Sequence, residues 1–142
     1  MLRPKALDHV GITVTDMDRS LRFYCGVLGL ELLRRRARGP GGIASAVLTV
    51  GEQEINVFSD PGFAPVHLGA NRTGLDHFCL EIASATIEDL VAALRQAGVE
   101  IAKGPVRQRD GMSLFVSDPD GCRVEIIVKN VIRETDPTVR EA

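Results

Sequence analysis

Hydrophobic and polar residues along this chain follow two periods in turn, a strand period and a helix period, and their order repeats. Positions 7–14 alternate, with Val10, Ile12 and Val14 on one face and Leu7, His9, Gly11 and Thr13 on the other. A helical period follows from near Asp16, places Met17, Leu21, Tyr24 and Leu28 on one stripe, and ends at Gly29. Strand-like segments come next at 30–36, 44–50 and 53–58. The signals then restart at 77–82, where Phe78, Leu80 and Ile82 oppose His77, Cys79 and Glu81. A second helix begins at Thr86, with Asp89 three residues on as an imperfect capping box. It buries Ile87, Leu90, Val91 and Leu94 and ends at Gly98. Further strands are expected at about 99–102, 112–116 and 123–128. The predicted class is α+β, with the order βαβββ written twice.

Individual residues carry the same duplication. Leu7-Asp8-His9 returns 68 positions later as Leu75-Asp76-His77. Leu28-Gly29-Leu30-Glu31-Leu32 returns 69 positions later as Ala97-Gly98-Val99-Glu100-Ile101. One domain over 1–142 is therefore expected, with module one at about 6–58, a linker at 59–73, module two at about 74–129 and a C-terminal tail at 130–142. The linker is rich in Gly, Pro and Asn, is longer than most loops in compact domains, and carries His67, which reads as a solvated loop residue.

A fully apolar strand face packs against helices, so both His9 and His77 are expected on the face turned away from the helical layer. In the closing strand of module two, Val124, Ile126 and Val128 form the apolar face and leave Arg123, Glu125 and Ile127 opposite. In module one, Ile55 and Val57 leave Glu54, Asn56 and Phe58 opposite. The 69-residue offset carries Glu125 onto Asn56. Packing of the modules about a pseudo-twofold axis would bring His9, His77, Asn56 and Glu125 into one cavity. Two neutral imidazoles and a carboxylate form a facial set that binds one divalent ion such as Fe, Mn, Ni, Co or Zn and leaves positions open for substrate.

The expected metal ligands are thus His9, His77 and Glu125, with Asn56 either a weak amide ligand or a pocket-lining residue. A two-residue slip in register would substitute Glu54 for Asn56. Glu125 is the candidate catalytic base. Thr13, Cys79 and Glu81 share the faces of these ligands and are candidates for the substrate pocket. Arg107 and Arg109 flank a turn before Asp110-Gly111, where they either clamp a substrate carboxylate or form a solvated charge run. Asp118-Pro119-Asp120-Gly121 reads as a turn that sets the register aiming Glu125.

Composition changes this picture little. The 142 residues are 44% hydrophobic and 25% charged, and a formal net charge of −2 gives no electrostatic reason to bind nucleic acid or an anionic membrane. No apolar run approaches the roughly 20 residues of a spanning helix, and the N-terminus holds no stretch resembling a secretory signal. Cys25, Cys79 and Cys122 are odd in number and form no C-x-x-C pair, so they read as reduced, mostly buried thiols of a cytoplasmic protein.

Several of these motifs resemble one family. Leu7-Asp8-His9-Val10-Gly11-Ile12-Thr13-Val14, then Phe23-Tyr24-x-x-Val27-Leu28-Gly29-Leu30, then Asp118-Pro119-Asp120-Gly121-x-x-x-Glu125 are similar to the vicinal oxygen chelate superfamily of glyoxalases, bleomycin resistance proteins and dioxygenases. The resemblance implies two βαβββ modules forming an open U-shaped barrel around a metal, with ligands at His9, Asn56, His77 and Glu125. It also implies a small-molecule substrate with vicinal oxygens and, as in many members, a homodimer. Three functions are compatible with it: a glyoxalase-like lyase or isomerase, favoured here, a non-haem Fe(II) ring-cleaving dioxygenase, and a metal-free drug-binding resistance protein. A His, His and Glu set also resembles fosfomycin-modifying thiol transferases. Glyoxalase I members usually carry Glu or Gln where this chain has Asn56, and an asparagine cannot accept a proton.

Overall fold

Alternation builds the first element: in β1 (His9–Val14) Ile12 and Val14 are buried while His9, Gly11 and Thr13 stay exposed. Asp16 caps α1 (Met17–Leu21) by accepting the Arg19 backbone N–H at 3.0 Å. The helix then widens into a π-helical stretch, Arg22–Val27, whose last bond runs from the Leu28 N–H to the Phe23 carbonyl. The wider turn moves the inward stripe. Met17, Ser20, Phe23 and Tyr24 are buried, whereas Leu21 and Leu28, expected on that stripe, are only half-buried.

This computed structural model describes residues 1–39, 42–64, 73–83 and 85–129. The tail expected at 130–142, His67 and most of the expected linker lie outside the described residues. The chain divides into two compact units, Met1–His67 and Leu68–Ala142.

In the first unit β2 (Glu31–Arg36), β3 (Ala44–Val50) and β4 (Gln53–Ser59) complete a mixed sheet of order β1-β4-β3-β2. β1 runs parallel to β4, and the other neighbours are antiparallel. The second unit repeats the scheme with β5 (Phe78–Glu81), α2 (Ile87–Gln96), β6 (Ile101–Gln108), β7 (Gly111–Ser117) and β8 (Arg123–Val128), in sheet order β5-β8-β7-β6. Neither four-stranded sheet closes on itself. Tyr24, Leu48 and Val57 are fully enclosed in the first unit, and Leu114, Val116, Val124 and Ile126 in the second.

Three expectations need correction. β6 does not stop near residue 102 but passes through Gly104-Pro105, using register shifts between Ile101 and Lys103 and between Lys103 and Val106. Gly104, at φ 96°, fits there because a Cβ would lie 2.9 Å from the Ser113 carbonyl oxygen. On α2 the capping box is complete, since Asp89 and Thr86 exchange bonds of 3.1 Å. Yet only Leu94 is buried there, because a shallow apolar groove of about 330 Å³ between the helix and Pro105 leaves Ile87 and Val91 half-open. Finally, none of the three cysteines is buried: Cys79 is exposed, and Cys25 and Cys122 are half-buried.

Candidate metal centre

The pairing of each module's first strand with its last makes distant residues neighbours. In module two Cys79 stands opposite Glu125, so His77, two residues earlier, reaches Glu125 diagonally. The contact is made: His77 Nε2 lies 2.9 Å from Glu125 Oε2. On the other side of the ring, His77 Nδ1 lies 2.6 Å from Asp76 Oδ2. That bond, together with the charge of Arg123, holds the Asp76 carboxyl below its usual range. When the proton sits on Nδ1, the imidazole turns the Nε2 lone pair toward a carboxylate oxygen; when it sits on Nε2, it donates to that oxygen.

In the Nδ1-protonated form, two acceptors at that separation call for a cation or a shared proton between them. Bonds of about 2.1 Å set at a right angle would space an N and an O donor by about 3.0 Å. The pair therefore fits a divalent metal in chemistry and in spacing. The other Glu125 oxygen accepts from Gln108 Nε2 at 3.3 Å, and Gln108 also donates to Ser113 Oγ at 2.9 Å. The Asp118 turn aims β8. Asp118 Oδ1 accepts the backbone N–H groups of Asp120 and Cys122 at 2.9 and 2.8 Å, one residue before the strand begins.

Glu125 opens onto a cavity of about 490 Å³ walled by Cys79, Glu81, Gln108, Arg109, Asp110 and Lys129, among others. Partial burial of the Cys79 thiol, and then the Glu125 carboxylate beside it, push that thiol up to about 11. Glu81 is engaged by Lys129 at 3.5 Å, and Lys129 also meets Asp110 at 3.3 Å. These contacts, the Asp110 bond foremost, raise the lysine. Arg109 lies on the cavity wall, and Arg107 does not line it. Alternation along β6 turns Gln108 inward toward Glu125 and so turns Arg107 to the opposite face.

Module one repeats half of this arrangement. His9 Nδ1 lies 2.7 Å from Asp8 Oδ2. Asn56 stands opposite Gly11 as Glu125 stands opposite Cys79, so the register contains no slip. Glu54 faces His9 instead, at the place that Arg123 takes in module two. The amide oxygen of Asn56 is buried without a hydrogen-bond partner among the described residues. Such an orphan acceptor costs about 1–3 kcal/mol, which fits a residue waiting for a donor or a cation. Thr13 is exposed on β1, opposite Phe58.

The structure thus joins His77 to Glu125 inside module two and sets His9 and Asn56 on one sheet face of module one. Among the described residues no group of three or more His, Cys, Asp and Glu side chains is placed to hold a metal ion. Four contributors were missed from sequence: Asp8, Asp76, Gln108 and Lys129. The signal for the first two was present, because the Asp precedes His in both copies of the repeat.

No helix among the described residues is long and apolar enough to cross a membrane. The chain is 30% identical over 128 residues to a probable lactoylglutathione lyase of Synechocystis, covering 84% of this chain and 92% of the relative. It is 30% identical over 124 residues to the glutathione transferase FosA of Serratia marcescens, covering 87% and 81%. A glyoxalase family protein of Enterococcus faecalis superposes with a TM-score of 0.73 at 28% identity, covering 87% of this chain and 97% of that one. Residues 6–126 match the model of one family. A duplicated βαβββ unit, a metal-binding residue type at the start of each copy and this match together mean that the chain belongs to the Glyoxalase/Bleomycin resistance protein/Dioxygenase superfamily.

Proposed function

We propose that this chain is a metal-dependent enzyme acting on a small substrate with vicinal oxygens, as a lyase or isomerase of the lactoylglutathione lyase type. His9, His77 and Glu125 are its metal ligands, Asn56 is a weak fourth, and the working form is a cytoplasmic homodimer. The observation that carries the reading is the His77 Nε2–Glu125 Oε2 pair, 2.9 Å apart and held from behind by Asp76.

A bound divalent ion supplies a Lewis acid for an oxyanion developing on the substrate. The protein supplies the proton chemistry. Glu125, whose side chain is 12% exposed and opens onto the cavity, takes a proton from the carbon beside a substrate carbonyl and returns it to the neighbouring carbon. Asn56 cannot share that work, so one base serves both transfers. Gln108 holds the Glu125 oxygen that His77 does not touch. Arg109 on the cavity wall suits an anionic substituent of the substrate.

The test pairs metal content with turnover. Natively purified protein should carry stoichiometric metal, His77→Ala should lose it, and the native protein should isomerise the hemithioacetal of a 2-oxoaldehyde. Oxygen uptake with catechols after anaerobic Fe(II) loading would assign the ring-cleaving reaction instead. Full metal content in His77→Ala would remove the proposed site. Native protein without metal, and indifferent to chelator, would point to the drug-binding reading.

A further inference from the structure

We propose that Arg123 is a positioning residue for the metal-facing nitrogen of His77, so that module two supplies the better-ordered half of the ligand set; this rests on the metal reading above. Arg123 Nη1 donates to both oxygens of Asp76, at 3.3 and 3.2 Å. Asp76 in turn accepts the His77 Nδ1 proton at 2.6 Å. The guanidinium also lies over the Phe115 ring, 5.2 Å from its centre, and His77 meets that ring edge-on at 5.2 Å and 78°. Arg123, Asp76, His77 and Phe115 therefore close a loop of four contacts. The imidazole is fixed by a hydrogen bond behind, an aromatic ring beside and a carboxylate ahead.

Arg123 opens β8 two residues before Glu125, on the same face. One strand face thus carries the carboxylate donor and also the clamp for the histidine donor.

Module one has the same dyad without the clamp. Asp8 and His9 pair at 2.7 Å, but Glu54 holds the place of Arg123. Phe115 stands opposite Glu125 across β7 and β8, and the matching place opposite Asn56 across β3 and β4 is Val47. Neither a cation nor an aromatic ring occupies the equivalent positions. A carboxylate that is both neutralised and anchored keeps its partner imidazole in one tautomer. An anionic neighbour gives Asp8 no such anchor. The two histidines, alike in sequence context, are unequal as ligands.

The experiment uses the full chain, first freed of metal by chelator. Long-range proton–nitrogen spectra report the His77 tautomer, and titration with Zn(II) against a competing dye reports affinity. The native protein should show His77 protonated at Nδ1. Arg123→Gln should mix the tautomers and weaken Zn(II) binding on the order of tenfold. Arg123→Lys should restore the tautomer, because it returns the charge to Asp76. Asp76→Asn should reproduce the Arg123→Gln result by a second route. The double variant should be no weaker than Asp76→Asn, because one residue acts through the other. Unchanged tautomer and affinity in Arg123→Gln, or full additivity in the double variant, would overturn the assignment. A native protein that binds no Zn(II) would sink the metal reading alone, and the tautomer comparison would still decide the role of Arg123.

Discussion

Cys79 offers a measurement of the charge on Glu125 that needs no substrate. The residue is exposed, but its sulfur faces the cavity, and partial burial with the adjacent Glu125 carboxylate lifts its titration to about 11 from an ordinary 9.0. At pH 8 about one Cys79 in a thousand is then thiolate, against about one in ten for an unperturbed thiol. A more basic thiolate is also a better nucleophile, with a slope of about 0.4–0.5 per unit, which recovers roughly tenfold. Alkylation at pH 8 should therefore run about tenfold slower than for an ordinary thiol, while its pH midpoint shifts by the full amount. The assay is iodoacetamide labelling of chelator-treated protein between pH 7 and 11.5, with peptide mass spectrometry separating Cys79 from Cys25 and Cys122. In Glu125→Gln the negative charge is gone but the burial remains, so the midpoint should fall without reaching 9.0. Loading with Zn(II) should also lower it, since positive charge near the sulfur favours the thiolate. A native midpoint near 9, or one unmoved by Glu125→Gln, would refute the placement of the thiol against an ionised Glu125.

Three further outcomes follow from the geometry. Chelator should lower the melting temperature of the native protein and leave His77→Ala unaffected; a ligand at a hundred times its dissociation constant stabilises by about 2.7 kcal/mol. Gly111→Ala would place a Cβ 2.2 Å from the Val128 carbonyl oxygen and 2.9 Å from Lys129 Cα, both backbone atoms, so β7 must part from β8. The cost should equal or exceed the about 1–3 kcal/mol of ordinary overpacking, and an unchanged calorimetric melt would contradict it. Thr86→Ala removes one arm of the α2 capping box and should cost about 1 kcal/mol in chemical denaturation; no change would mean that the cap is not formed in solution.

The fold was legible in the sequence because the same periods occur twice. β3 and β8 begin and end where alternation places them, and Asn56 is matched to Glu125 by offset alone, as the strand register bears out. What escaped were features that depend on a third dimension. A π-helical turn leaves no mark in apolar spacing, so Phe23, buried beside the expected Tyr24, was left off the inward stripe of the first helix. The strand expected at about 99–102 runs on through Gly104-Pro105, and composition cannot distinguish a stop from a bulge. In the candidate site, the candidate ligands carried a sequence signal through the repeat, whereas Gln108 and Lys129 did not, since their partners lie on other strands or in a turn. Arg107 and Arg109 looked equivalent until the end of β6 at Gln108 separated them, leaving Arg107 on the strand and Arg109 in the turn that borders the cavity.

The parallel pairing of the first and last strands, β1 with β4 and β5 with β8, has a consequence for how such a chain can diversify. Each module closes on its own starting strand, so the two positions of each candidate donor pair lie within one module. Once the unit is doubled, selection can alter one copy while the other keeps its chemistry. This chain bears that record. Aspartate-histidine stands in both copies, while the places of Glu125 and Arg123 in one are held by Asn56 and Glu54 in the other.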